Sequence, residues 1–280
     1  MRLQASVSDQ SNGSKQRVTE MASSNIVLEA KGVGVAFDGV NGPVEAIRKI
    51  DFVLRRGEVL AIVGPSGCGK STLFNVIAGL LKPTRGSVIV DGKEVDKATG
   101  HVGYMLQKDL LLPWRTVLEN VTLGLDVRGV KREQSRQIAM KLIQAYGLSG
   151  FEHAKPGTLS GGMRQRAAIM RTLAFDPEVI LLDEPFSALD FQTRLLLQSD
   201  VRKIIVERNK SAILVTHDIS EAVTMADRVL VLSYRPSTVV AVHEITLPRS
   251  GRDAVAMRTD AVYNDHFTKI WADLDLAHAQ

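Results

Sequence analysis

Five short segments carry residues whose types and spacing suit the handling of a phosphorylated nucleotide. In IVGPSGCGKST, Gly64, Gly69, Lys70 and Ser71 stand in the spacing G-x-x-x-x-G-K-[ST], between an apolar run and a helical one. Glycines let a backbone wrap phosphates with its N–H groups pointing inward. Lys70 would reach the β- and γ-phosphates and Ser71 would ligate Mg²⁺. In VILLDEP an apolar run ends in two acids, Asp183 and Glu184. Asp183 suits a Mg²⁺ held through its water shell, and Glu184 is placed to orient or deprotonate a water. Such a pair also caps helices or forms surface turns; beside a phosphate loop the metal-and-base reading prevails. Gln107 closes HVGYMLQ and His217 closes SAILVTH, and each is either a structural strand end or a γ-phosphate sensor. In LSGGMRQRAA, Ser160 is a good N-cap, and Gly161 and Gly162 leave N–H groups open. That is a second anion site, at a helix N-terminus.

These residues need a scaffold that brings them together. EVLAIVG, VILLDEP, SAILVTH and RVLVLS are nearly continuous apolar runs, as expected of strands buried on both faces of a parallel sheet. Helical stripes lie between them: Ile138, Leu142, Ile143 and Tyr146 in one segment, and Leu197, Val201, Ile204 and Ile205 in another. The alternation predicts an α/β fold. The first part differs: IVLEAKGVGVAFDG, VEAIRKIDFVLRRGEV and GSVIVDGKEV read as short antiparallel strands. The region from about 108 to 157 reads as a helical insertion. Near the C-terminus Tyr263, Phe267, Ile270, Trp271 and Leu274 form one stripe of an amphipathic helix. Its plain role is packing on its own domain, and its sharper one a regulatory or dimer contact.

Bulk properties exclude several classes. Among 280 residues 45% are hydrophobic and 24% charged, which is ordinary globular composition. The net charge of +4 suits an anionic ligand or membrane surface and is too small to argue for nucleic acid. The single Cys68 cannot form an internal disulfide. Its place near a helix N-terminus predicts a lowered thiol pKa and a site where alkylation blocks nucleotide; it reads more readily as a small tolerated residue in the loop than as a redox control point. No apolar run approaches the ~18 residues that span a bilayer. Residues 1–24 are polar, lack a signal-peptide core and are expected to be a disordered leader.

The segments in order, an aromatic near the start, GPSGCGKST, a Gln loop, LSGGM, VILLDEP, SALD and a His after a strand, resemble the ATP-binding subunit of an ABC transporter. LLPWRTVLENV, THDISEAVTMADRVLVLSYRPS and ITLPR are similar to its nitrate, sulfonate and taurine importer branch. The resemblance implies a P-loop NTPase fold of the ABC-ATPase type, with an antiparallel β subdomain and a helical insertion. The ATPase domain would span 25–245, with a helical subdomain at about 108–157 and a signature helix at 160–174; a helical extension would occupy 246–280. By resemblance Phe37 stacks on adenine, although it reads equally as core. Gly64, Pro65, Ser66, Gly67, Cys68, Gly69, Lys70, Ser71 and Thr72 form the phosphate loop. Gln107 touches Mg²⁺ and the attacking water, Asp190 crosses to the other subunit, and His217 is a switch. Met163 departs from the Gln that is usual there.

The family works as a head-to-tail homodimer, in which Ser160, Gly161 and Gly162 would serve the nucleotide of the second copy. ATP and Mg²⁺ are the implied cofactors. The implied partners are integral permease subunits and, indirectly, an extracytoplasmic solute-binding protein, with no nucleic acid. The implied place is peripheral, on the cytoplasmic face of the membrane. Pro113 and Trp114 read as core or as a permease dock. Arg164, Arg166 and Arg171 read as a solvated face or as contacts to nucleotide and partner. A soluble ABC-type ATPase acting on nucleic acid or the ribosome shares every nucleotide motif, but this chain lacks its usual coiled-coil insertion or second ATPase half. A nucleotide kinase or GTPase would share only the phosphate loop.

Overall fold

The structure, a computed structural model, describes residues 25–278 except 41, 99, 101, 188 and 250. The expected leader lies outside that range. The strands are β1 (Ile26–Gly39), β2 (Gly42–Arg55), β3 (Val59–Val63), β4 (Arg85–Val90), β5 (Lys93–Glu94), β6 (Val102–Met105), β7 (Val179–Asp183), β8 (Ser211–Val215), β9 (Arg228–Leu232) and β10 (Ser237–Glu244). They form one sheet in the order β5-β4-β1-β2-β10-β9-β3-β8-β7-β6. From β9 to β6 every neighbouring pair is parallel. The β5-β4-β1-β2 end is antiparallel, and β10 joins the two parts.

All residues of β3, β7 and β8 are buried, which explains their unbroken apolar character. Alternate side chains enter two different cores. Val59, Ala61 and Val63 face one, and Leu60 and Ile62 face the other. The second core lies between the sheet and α1 (Lys70–Ile77). The first takes in α2 (Val117–Val127), α3 (Arg132–Ala145), α4 (Gly161–Leu173), α5 (Phe191–Glu207), α6 (Ile219–Met225) and α7 (Ala261–His278). No helix among the described residues is long and apolar enough to cross a membrane.

Three details correct the sequence reading. The first two strands are not short: β1 and β2 each run 14 residues. Register shifts between Ala30 and Val33 accommodate Gly32 within β1. The strand β10 has a weak alternation and was not foreseen. On α7, Tyr263 and Ile270 are buried and Phe267 and Leu274 pack partly against the core, but Trp271 remains 60% exposed.

Candidate active site

Strands β3, β8, β7 and β6 are consecutive and parallel, so their carboxyl ends share one sheet edge. Open α/β sheets bind ligands at such an edge. The phosphate loop leaves β3, His217 follows β8, Asp183 and Glu184 end β7, and Gln107 follows β6. The edge therefore gathers residues that are distant in sequence.

In the loop Gly67 and Gly69 have φ of 77° and 105°, a region that disfavours side chains. Gly69 is the N-cap of α1, and the first turn aims its N–H groups at the loop. Lys70 is buried, and its Nζ donates to the carbonyls of Gly64 at 2.8 Å and Pro65 at 2.9 Å. The ammonium thus holds the loop closed around itself. Cys68 differs from expectation. Its side chain is fully buried, and burial pushes the thiol pKa up, against the opposing pull of Lys70. Burial is the larger influence, so the lowered thiol pKa expected from the helix terminus is not found.

Asp183 is buried at the end of β7 and accepts a hydrogen bond from the Tyr104 hydroxyl at 3.3 Å. Burial pushes its carboxyl pKa up, opposed by hydrogen bonds from Ser71 and Tyr104. Ser71 and Asp183 are thus in contact and offer two hard oxygen donors. Among the described residues no group of three His, Cys, Asp or Glu side chains could cage a metal. That donor set fits Mg²⁺, which takes one or two protein oxygens and completes its shell with phosphate and water.

Glu184 adopts φ 45°, a left-handed conformation uncommon for an L residue, while its N–H donates to Val215 at 2.9 Å. This turn lifts the side chain off the sheet edge. Gln107 Nε2 donates to Glu184 Oε2 at 3.1 Å, and His217 Nδ1 lies 3.3 Å from the same oxygen. Three residues singled out in the sequence therefore meet at one atom.

Ser160 caps α4 and accepts from the Met163 N–H at 3.3 Å. It and Gly161 are exposed. A Cβ on Gly162 would come within 2.8 Å of Thr193, and one on Gly161 within 3.7 Å of Leu189. The signature turn is thus bound to the segment around Asp190, which caps α5 by accepting from Thr193 N–H. That bond holds the exposed Asp190 carboxyl below the usual range. Phe37 is 43% exposed at the end of β1, which removes its reading as core. Pro113 and Trp114 are likewise exposed. Arg171 donates to the carbonyls of Asp109 and Leu110, both at 2.6 Å, and Arg164 to the Asp109 carboxylate at 3.2 Å. These arginines, read from sequence as a solvated or ligand-facing surface, instead tie α4 to the segment after Gln107.

Two supporting residues were not foreseen. Gln165, buried on α4, donates to the Pro185 carbonyl, joining the signature helix to the turn after Glu184. Glu221 is buried on α6, and its Oε2 accepts from the Thr216 hydroxyl at 2.9 Å. That hydroxyl accepts in turn from the Asp218 N–H at 3.0 Å, so both neighbours of His217 are held. Burial pushes the Glu221 carboxyl up to about 8. In the sequence Glu221 stands three residues after the Asp218 cap and looks like a surface capping residue.

Residues 47–187 match the ABC transporter family. The taurine import ATP-binding protein TauB of Yersinia pestis bv. Antiqua is 44% identical over 214 residues, 76% of this chain and 82% of that protein. The nitrate transport protein NasD of Klebsiella oxytoca is 36% identical over 242 residues, 85% of this chain and 92% of that protein. Among solved structures, the dimeric ATP-binding cassette MJ0796, bound to ADP and Pi after hydrolysis, superposes with a TM-score of 0.69 at 31% identity. It covers 79% of this chain and 100% of its own. A phosphate loop on β3, two acids on β7 and a capped LSGGM turn within a cassette fold place this chain in the ABC transporter family, as one of its ATP-hydrolysing subunits.

Proposed function

We propose that two copies of this chain, arranged head to tail, power an importer for a small anionic solute of the taurine, sulfonate or nitrate type. The convergence of Gln107 and His217 on Glu184 Oε2, beside the phosphate loop, carries the hydrolytic part of this reading, and the importer part follows the relatives. Gly64 to Thr72 cradle the phosphates, Lys70 moves from its carbonyl partners to the β- and γ-phosphates, and Phe37 takes the adenine. Ser71, Asp183 and Gln107 would hold Mg²⁺, which would neutralise phosphate charge. Glu184 accepts the proton of the attacking water, Gln107 orients that water, and His217 contacts the γ-phosphate. Ser160, Gly161 and Gly162 of the second copy present N–H groups to the same phosphate, and its Asp190 segment crosses the interface.

Separate copies then hold half-sites. ATP favours the closed pair because only there does its γ-phosphate meet both halves. The pair sits on the cytoplasmic face of the membrane against integral permease subunits. Leu110, Pro113 and Trp114 supply an exposed apolar dock, with Trp114 70% exposed. A solute-binding protein outside delivers the solute, whose type follows the names of the relatives.

The test pairs two variants. Glu184→Gln is expected to bind MgATP, accumulate as a dimer and lose about a hundredfold or more in turnover. Ser160→Arg is expected to keep nucleotide binding and lose hydrolysis. Near-normal turnover in the first removes the base assignment; in the second it removes the shared site.

A further inference from the structure

A cavity of about 470 Å³ opens beside the phosphate loop. Pro65, Ser66 and His217 form one wall, and Phe267, Trp271 and Leu274 of α7 form the other. Phe267 and Trp271 stack with ring centroids 6.2 Å apart. The buried side of α7 is already used by Tyr263, Ile270 and Ala277, so Trp271 faces outward over the cavity. Asp275 adds a carboxylate to the rim.

The signature face of the same chain carries a matching protrusion. Gly161 and Gly162 lie against Leu189 and Thr193, the residues on either side of Phe191 in the chain. Phe191 is 56% exposed, with the Arg258 guanidinium 4.9 Å over its ring. If the signature turn of a second copy faces this phosphate loop, Phe191 and Arg258 of that copy are brought toward the same interface as the cavity. A two-fold interface repeats that contact on both sides.

We infer that the cavity seats Phe191 and Arg258 of a second copy, so that α7 is part of the ATP-driven dimer interface. The aromatic ring meets the Phe267–Trp271 stack, and the guanidinium meets the acidic rim. This rests on the head-to-tail reading above and extends it to a helix outside the nucleotide motifs.

The chain has two tryptophans, so Trp114→Phe leaves Trp271 as the sole indole. In that background with Glu184→Gln, adding MgATP is expected to form the dimer, shift Trp271 emission to the blue and cut acrylamide quenching by about half. A dimer seen by light scattering with unchanged Trp271 quenching overturns the inference and leaves the shared site standing. No dimer at all overturns both. Protection that persists with Ser160→Arg places the change within one chain and overturns the inference. Trp271→Glu, with unchanged melting temperature and nucleotide binding, is expected to raise the chain concentration for half-maximal turnover about tenfold. An unchanged concentration dependence overturns the inference.

Discussion

At the scale of single residues, Glu221 links fold stability to pH. Its folded pKa of about 8 lies above the 4.5 of an ordinary Glu carboxyl, so the folded chain holds a proton that the unfolded chain releases. The stabilisation is complete below pH 4.5 and is lost as pH rises to about 8, with a slope of up to about 1.4 kcal/mol per pH unit. Glu221→Gln keeps the shape and cannot ionise. Its stability relative to the native chain is expected to grow across that window and level off above it. Thermal melts between pH 5 and 9 check this, and a constant difference would mean that Glu221 is already charged in the folded chain. Adjacent residues made much of this site legible in sequence: Gly64 to Ser71 and Asp183–Glu184 declare their chemistry by local spacing. Spacing alone did not show that Gln107, Glu184 and His217 meet, because that depends on β6, β7 and β8 being neighbours; the family resemblance assigned them to one site. Cys68 misled for a related reason, since sequence shows the helix terminus and hides the burial that pushes the thiol pKa up.

At the scale of elements, α4 is the connecting piece. Its N-terminus is the signature turn, Gln165 touches the turn after Glu184, and Arg171 grips the segment after Gln107. A permease pressing near Trp114 would act on that segment. Arg171→Ala leaves two carbonyls without their donor and is expected to cost about 1–3 kcal/mol of stability in thermal melts. Turnover is expected to fall more than ATP affinity, because the phosphate loop lies elsewhere; an equal loss of both would argue against this division. The helices were readable because their apolar stripes are continuous, as in Leu142, Ile143 and Tyr146 on and beside α3. The run IVLEAKGVGVAFDG is β1 itself, but the run VEAIRKIDFVLRRGEV overshoots β2, which ends at Arg55 ahead of the turn at Gly57.

At the scale of the whole molecule, the site is made of two unequal materials. Phosphate loop, acids and switch hang from strands whose side chains are buried on both faces. The signature turn hangs from α4, which buries one face in the first core and is otherwise moored by Arg164, Arg166 and Arg171, with Asp109 and Asp200 only partly shielded. Local opening is easiest where bonds are few and solvated. Mild urea is therefore expected to silence ATP turnover while the chain still captures fluorescent ATP, and only higher urea to release it; coincident loss would show one cooperative unit. A chain in that intermediate window would be a sponge for nucleotide: loaded, idle, and drawing ATP away from intact assemblies.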